Sequence, residues 1–451
     1  MDTVTLSRSF FGTSLAFHII FATLGIGLSL MILLMEILYQ WKKDPDYAVM
    51  AKRWTKAFAI LLGVAIPTGT IVGVQLALLW PGFVKIVGQV ISVPFQIEIF
   101  AFFLEALFMS IYVYAADKLS PFMRLLSVFF VMLGATASAV LITAANTWMN
   151  TPAGFSMRED GTIFNVNPWE AFFNPSFFSG SFHVVITAYL SGGAVIAAIA
   201  GYKLLKRNQT APEIAYHKKG LMLALVVTLI SGLIMGMSGH ESAINLYEHS
   251  PEKLAAAEGL FETTSHAPLT IGGIVDPDTQ EVKYGLEIPW ALSILADWKP
   301  STVVKGLEEF PRETWPPAYT HLFFNLMVFA GMLQLAIAAI ALAYWYLIAR
   351  KRNAQFPSWL LWAIVALGPL AFIGIETGWI FSCSGRQPWT IYQFQRTTEA
   401  ATQADYVGPL FFVFICLYVF LGVLTVIVLR TFFRRNPLNR DLKTYGGKSN
   451  A

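Results

Sequence analysis

Charge is scarce in this chain. Only 13% of its 451 residues are Asp, Glu, Lys or Arg, while 56% are hydrophobic, a balance outside the range of water-soluble domains. Cysteine is scarcer still. Cys383 and Cys416 are the only two, too few for a disulfide framework and wrongly spaced for a metal site, so both are expected to be packing thiols. There is no low-complexity segment and no repeat of fixed period, although His18-Ile-Ile and His183-Val-Val form a faint echo at the heads of two apolar runs. The net charge of +3 points to no nucleic-acid partner, because it sums a basic face and an acidic loop.

What is abundant is hydrophobic length. A span of hydrocarbon needs ~20 apolar residues, and nine runs qualify: 11–39, 58–80, 94–115, 125–148, 182–202, 220–237, 321–348, 359–381 and 408–429. Lipid offers the backbone no hydrogen-bond partners, so these spans are predicted to be helices of an all-α, polytopic membrane protein. The first run is too long for a signal peptide, lacks a basic leader and has no small-residue cleavage site, so it is expected to stay in the mature protein.

Basic residues set the orientation. With the N-terminus outside, 21 of the 31 Lys and Arg residues face the cytoplasm, in segments around Lys42, Arg53, Arg124, Lys206, Lys219, Arg350 and Arg434. Five more lie in short outer segments, and the remaining five in a long outer loop of little topological weight, so the prediction is N-out and C-in. The chain then divides into six spans (1–240), an outer loop (241–319), and three spans with a basic tail (320–451). The loop is acidic from Glu241 to Glu313 but also holds Trp290, Trp298 and Trp315, enough to bury some surface. Loops of this length are usually functional.

Ionisable groups inside spans cost several kcal/mol unless paired, liganded or hydrated. Those here are His18, Glu36, Glu98, Glu105, His183 and Glu376, with the soft ligand Met327 and the amides Gln75, Asn146, Asn325 and Gln334 beside them. Taken singly, each has an ordinary explanation: interfacial hydrogen bonding for the histidines, core packing for Met327, and snorkelling or pairing beside Lys42 and Lys43 for Glu36. Glu98 and Glu105 are seven residues apart, close to two turns, and so share a face suited to proton relay. With the orientation above, His18, Glu98, His183, Met327 and Glu376 are predicted to lie in one outer layer. His, Met and carboxylate are groups that haem iron accepts.

These residues and the motifs around them resemble subunit I of the cytochrome bd-type quinol oxidases. The match spans nearly the whole chain: His18 through Leu33-Leu34-Met35-Glu36, Glu98, Phe102-Phe103-Leu104-Glu105, Asn146-Thr147-Trp148-Met149-Asn150-Thr151-Pro152, His183, Lys253-Leu254-Ala255-Ala256-Ala257-Glu258, Met327, Glu376-Thr377-Gly378-Trp379 and Gly385-Arg386-Gln387-Pro388-Trp389. The resemblance implies two four-helix bundles plus one extra helix. It implies a low-spin haem b on His183 and Met327, and high-spin haems, one b and one d, served by His18 and Glu376. Glu98 would be a ligand or proton donor to that pair, Glu105 its partner in proton delivery, and Arg386 a further cofactor-binding residue. The loop would bind quinol through Lys253 and Glu258, with Glu258 or Glu262 as the base.

The implied activity is that of a non-pumping terminal oxidase in a bacterial cytoplasmic membrane. Such an enzyme reduces O2 to water with cytoplasmic protons, alongside a homologous second subunit and a small single-helix subunit. Two departures stand out. The loop lacks the longer insertion of some relatives, and Asn325 stands where some carry Arg. Seven histidines with no pair inside one span argue against a haem-copper oxidase or a bis-His cytochrome b. From another class, an ion-coupled transporter would use Glu98, Glu105 and Glu376 without cofactors.

Overall fold

The computed structural model describes residues 2–352 and 355–448, so the last three residues of the basic tail lie outside it. Among the described residues, nine helices are long and apolar enough to span a membrane. They are α1 (Thr3–Lys42), α2 (Pro45–Leu79), α3 (Ser92–Ala115), α4 (Pro121–Asn150), α5 (Phe177–Leu205), α6 (Ala211–His249), α7 (Tyr319–Ala349), α8 (Ser358–Ser384) and α9 (Val407–Arg435).

Local chemistry explains where these helices begin. α2, α4 and α6 start alike, with Asp44, Ser120 or Thr210 as N-cap and a proline in the first turn, where its missing N–H costs nothing. At α6 the cap is reciprocal, since Glu213 answers Thr210 in a capping box. Pro67 and Pro369 lie inside α2 and α8.

The first four helices pack as one bundle through the pairs α1–α2, α3–α4 and α1–α4; the next four pack through α5–α6, α7–α8, α5–α8 and α6–α7. α9 stands outside on α1 and α2. Where the bundles meet, Gly27 of α1 and Gly192 of α5 touch backbone to backbone: a Cβ on Gly192 would sit 2.4 Å from the Gly27 carbonyl carbon. Small residues of this kind let membrane helices approach closely.

Two predicted boundaries move. α1 begins at Thr3, fixed by Asp2 accepting the Thr5 N–H at 2.7 Å, so His18 is about four turns from the helix start rather than two. Its first turns bury Ser7, and Phe10 joins a cluster with Trp80, Trp148 and Val407, outside the apolar run. At the other boundary, 241, the chain stays helical, and α6 runs on to His249, because Glu241–Glu248 is a polar helix-forming stretch that hydropathy cannot see. Of the two cysteines, Cys383 is half-buried but Cys416 is exposed on α9 rather than packed.

The segment between α6 and α7 is folded. It holds the helices Pro251–Glu258 and Ala291–Asp297 and three short antiparallel strand pairs. Its own apolar centre is Leu254, Ala267, Leu292, Ala296 and Val304. The sheet Leu269–Ile271 with Leu286–Ile288 and the hairpin Ile274–Asp276 with Glu281–Lys283 close over the turn that ends the first of those helices.

Candidate functional site

His18 on α1 rests against α2. Its Nδ1 is 3.1 Å from the Thr68 hydroxyl, and that hydroxyl donates its single proton to the Val64 carbonyl at 2.8 Å. The Thr68 oxygen can therefore only accept, which places the ring proton on Nδ1 and the lone pair on Nε2. Beside it, a Cβ on Gly69 would lie 2.9 Å from His18 Cε1.

His183 on α5 repeats this arrangement against α6. Its Nδ1 is 2.9 Å from the Ser238 hydroxyl, which donates to the Met235 carbonyl at 3.0 Å, and Gly239 lies beside the ring. Each histidine thus sits on a hydroxyl residue followed by glycine, Thr68-Gly69 or Ser238-Gly239, with the Nε2 lone pair left free. This is the orientation that a ligating imidazole takes from its outer partner.

Register shows how these residues line up. His18 precedes Gly27 by nine residues, and His183 precedes Gly192 by nine, so the glycine contact sets both rings at one level. Similarly, a Cβ on Gly232 would meet both Leu190 and Leu335, which puts Met327, eight residues before Leu335, beside the level of His183, seven before Leu190. Met327 Sδ faces Gly378 of α8, where a Cβ would come within 3.1 Å. Two residues earlier, Glu376 carries a buried Oε1 with no partner among the described residues.

Glu98 departs from the predicted layer. It accepts from Ser138 on α4 at 2.7 Å, two residues above Thr136, which bonds Tyr189, so Glu98 lies about one turn, ~6 Å, deeper than His183. Two turns on, Glu105 is buried on the same face of α3, and two turns further comes Tyr112. The Tyr112 hydroxyl donates to Glu36 Oε1, which also accepts from Arg124 at 2.6 Å. Glu36 is therefore fully buried and paired with Arg124 and Tyr112, rather than with Lys42 or Lys43, and its Oε2 has no partner among the described residues. Two-turn spacing along α3 turns these groups into a ladder.

Lys253 and Glu258, expected to share one function, point to different places. Five residues on one short helix set them about 140° apart, and no ion pair joins them. Lys253 reaches into the bundle, donating at 3.0 Å to Asn150 Oδ1 and to the Ser382 carbonyl, with its ammonium 5.0 Å from the Phe381 ring centre. Burial, and then the charge of Arg386, bring its pKa down to about 7. Arg386 itself is buried, with Nε and Nη1 lacking partners among the described residues. Glu258 lies under the hairpin, 1% exposed, with no side-chain partner among the described residues and only the Thr270 backbone beside it to favour the carboxylate. Its burial pushes the pKa up to about 8.

With this geometry in place, the relatives are informative. The family model for cytochrome bd terminal oxidase subunit I matches residues 6–437. This chain belongs to that family. A Bacillus subtilis (strain 168) protein with the provisional name cytochrome bd menaquinol oxidase subunit I is 54% identical over 98% of this chain and 99% of its own length. A second protein of that organism, named cytochrome bd ubiquinol oxidase subunit 1, is 32% identical over 94% of this chain and 92% of its own. The solved bd oxidase of Geobacillus thermodenitrificans superposes with a TM-score of 0.89 at 42% identity, covering 97% of this chain and 99% of that one.

Membership makes the chain a subunit of a multi-subunit, membrane-bound respiratory quinol oxidase and implies haem cofactors; nothing supports the transporter alternative. The donor set fits haem. Two imidazoles offer Nε2, the Met327 thioether and a Glu376 oxygen without a partner among the described residues are further donors, and two buried basic side chains, Lys253 and Arg386, without carboxylate partners among the described residues suit the anionic propionates. Sequence reasoning missed Thr68, Ser238, Tyr112 and Arg124. The first two left a signal, a hydroxyl-glycine pair on the span following each histidine.

Proposed function

We propose that this chain carries the haems of a cytochrome bd oxidase, oxidises quinol at the outer loop and reduces O2 to water with protons drawn from the cytoplasm. The observation that carries this reading is the matched seating of His18 and His183, which frees both Nε2 lone pairs at one depth. His183 and Met327 would hold the low-spin haem b. His18 and Glu376, with Glu98 as ligand or proton donor, would serve the high-spin haems b and d. Arg386 and Lys253 would receive propionates or shape the edge of that site. Bound haem supplies one-electron transfer and the reduction of O2.

The chain's own residues would handle the protons. Each quinol gives up two protons and two electrons as it becomes quinone, and Glu258 is placed to accept a proton in the loop, with Lys253 fixing the start of its helix. Each O2 takes four electrons and four protons to form two waters. Glu36, Tyr112, Glu105 and Glu98 form a rising series along α3 that would deliver those protons, with N-out and C-in orientation making the uptake vectorial without a pump. The 54% identical relative favours menaquinol as the donor. The partners would be a homologous second subunit and a small single-helix subunit in a bacterial cytoplasmic membrane.

A dithionite-reduced spectrum of the purified complex tests this reading. It should show b-type bands with a far-red d-type band, and a colourless preparation would end the proposal. In Met327→Leu the low-spin signal should convert to a five-coordinate form; an unchanged low-spin spectrum would exclude Met327 as a ligand.

A further inference from the structure

A base carried on a surface loop needs something to fix it, and Glu258 has no side-chain partner among the described residues, only the Thr270 backbone beside it. The residues on either side of Glu258 do. His321, in the first turn of α7 and 1% exposed, places Nδ1 at 2.7 Å from the carbonyl of Ala257, just before Glu258. A Cβ on Gly259, just after Glu258, would lie 3.6 Å from the same nitrogen. The other ring nitrogen, Nε2, is 2.7 Å from the carbonyl of Gly272, in the turn that leads into the overlying hairpin. Both carbonyls lie within hydrogen-bond distance of the ring, so one imidazole bridges the Glu258 turn and the segment above it.

One turn along α7, Asn325 completes the grip. Its Oδ1 accepts the Gly272 N–H at 2.8 Å, and its NH2 donates to the His321 carbonyl at 3.0 Å. Gly272 and Gly273, at φ +66° and +92°, let the hairpin turn both polar groups of Gly272 onto α7. Two loop segments, the Glu258 turn and the hairpin above it, are thus tied to one helix face by two side chains.

We propose that His321 and Asn325 are positioning residues for quinol oxidation, clamping the Glu258 turn and its covering hairpin to α7 so that quinol meets a fixed carboxylate. This rests on the reading of the loop as the quinol site. It also gives Asn325 a task of its own at the position where some relatives carry Arg.

The test uses the assembled oxidase carrying His321→Gln, Asn325→Ala or Glu258→Gln. Quinol KM and kcat are measured together with turnover on tetramethyl-p-phenylenediamine, a small one-electron donor, and amide hydrogen exchange across 257–272. His321→Gln should raise quinol KM about tenfold, and Asn325→Ala about threefold, with kcat and dye turnover within about twofold and faster exchange across 257–272. A quinol KM within about twofold of the parent in both variants overturns the clamp, as does an equal loss of dye and quinol turnover, which marks a purely structural role. Asn325→Ala decides the matter if His321→Gln fails to assemble. Glu258→Gln separates the two levels: if it slows quinol turnover while the clamp variants are silent, only the clamp falls, and if it too is silent, the loop reading falls with it.

Discussion

A carboxyl group that must accept a proton is useful only where it is ionised, and Glu258 sits where burial has pushed its pKa up to about 8. Quinol turnover is therefore expected to rise with pH through about 8 and then flatten. Glu258→Gln should remove that limb and lower quinol kcat/KM by about 10²-fold or more, while dye turnover holds. A limb that survives the substitution would reassign the base to another group, such as buried Glu252, whose pKa burial also raises. Stability follows the same group with a definite sign. The folded state keeps the Glu258 proton above the ordinary value of 4.5, so its contribution is fully present below that pH and is lost as the pH rises through about 8. None of this is visible in Lys-x4-Glu as a string, which reads as a solvated pair in an acidic loop. The hairpin that removes Glu258 from water lies some twenty residues away in sequence, and the groups that draw Lys253 inward, Asn150 and Ser382, belong to two other helices.

Helices were easy to find and hard to bound. Apolar length announces a span, but the ends are set by Asp2 at α1 and by the polar helix formers that carry α6 to His249, outside the hydrophobic signal. The echo between His18-Ile-Ile and His183-Val-Val, faint in the sequence, has a structural counterpart. In each bundle a histidine on one helix sits on a hydroxyl-glycine pair of the next, and each lies nine residues before the same interhelical glycine contact. Gly192→Leu should therefore do two things at once. Its side chain would enter space already filled by Gly27, at an overpacking cost of about 1–3 kcal/mol, and parting α1 from α5 would shift both rings. A lower melting temperature in detergent together with a disturbed haem spectrum is expected. Gly236→Ala on α6, where nothing lies within 4 Å of the new Cβ, is the control and should leave both unchanged. An unperturbed Gly192→Leu spectrum would show that the glycine contact does not set the depth of the histidines.

The two ends of the molecule differ in chemistry, and the direction in which it works depends on which end faces the cytoplasm. At one end, the tail helix Leu438–Lys448 folds back onto the starts of α2 and α6: Arg53 pairs with Asp441 and donates to the Asn436 carbonyl at 3.0 Å, and Thr210 reaches Asn439 at 3.2 Å. That end carries most of the basic residues and the Glu36–Arg124 foot of the ladder on α3. At the other end lie the folded loop and Glu258. With 39 residues, α6 is ~58 Å long against a hydrocarbon core of ~30 Å, so it projects from the bilayer and keeps the two ends apart. If the basic end is cytoplasmic, protons leave quinol outside and enter the ladder inside, and charge crosses the membrane without a pump. Labelling in intact cells decides it. A cysteine replacing Tyr284, 92% exposed in the loop, should react with a membrane-impermeant maleimide, and one replacing exposed Arg207, beside the tail, should react only after lysis. The parent chain, with Cys383 and Cys416, sets the background. The reverse pattern would place quinol oxidation inside and the foot of the ladder outside, so proton release and uptake would exchange compartments and the reaction would charge the membrane in the opposite sense.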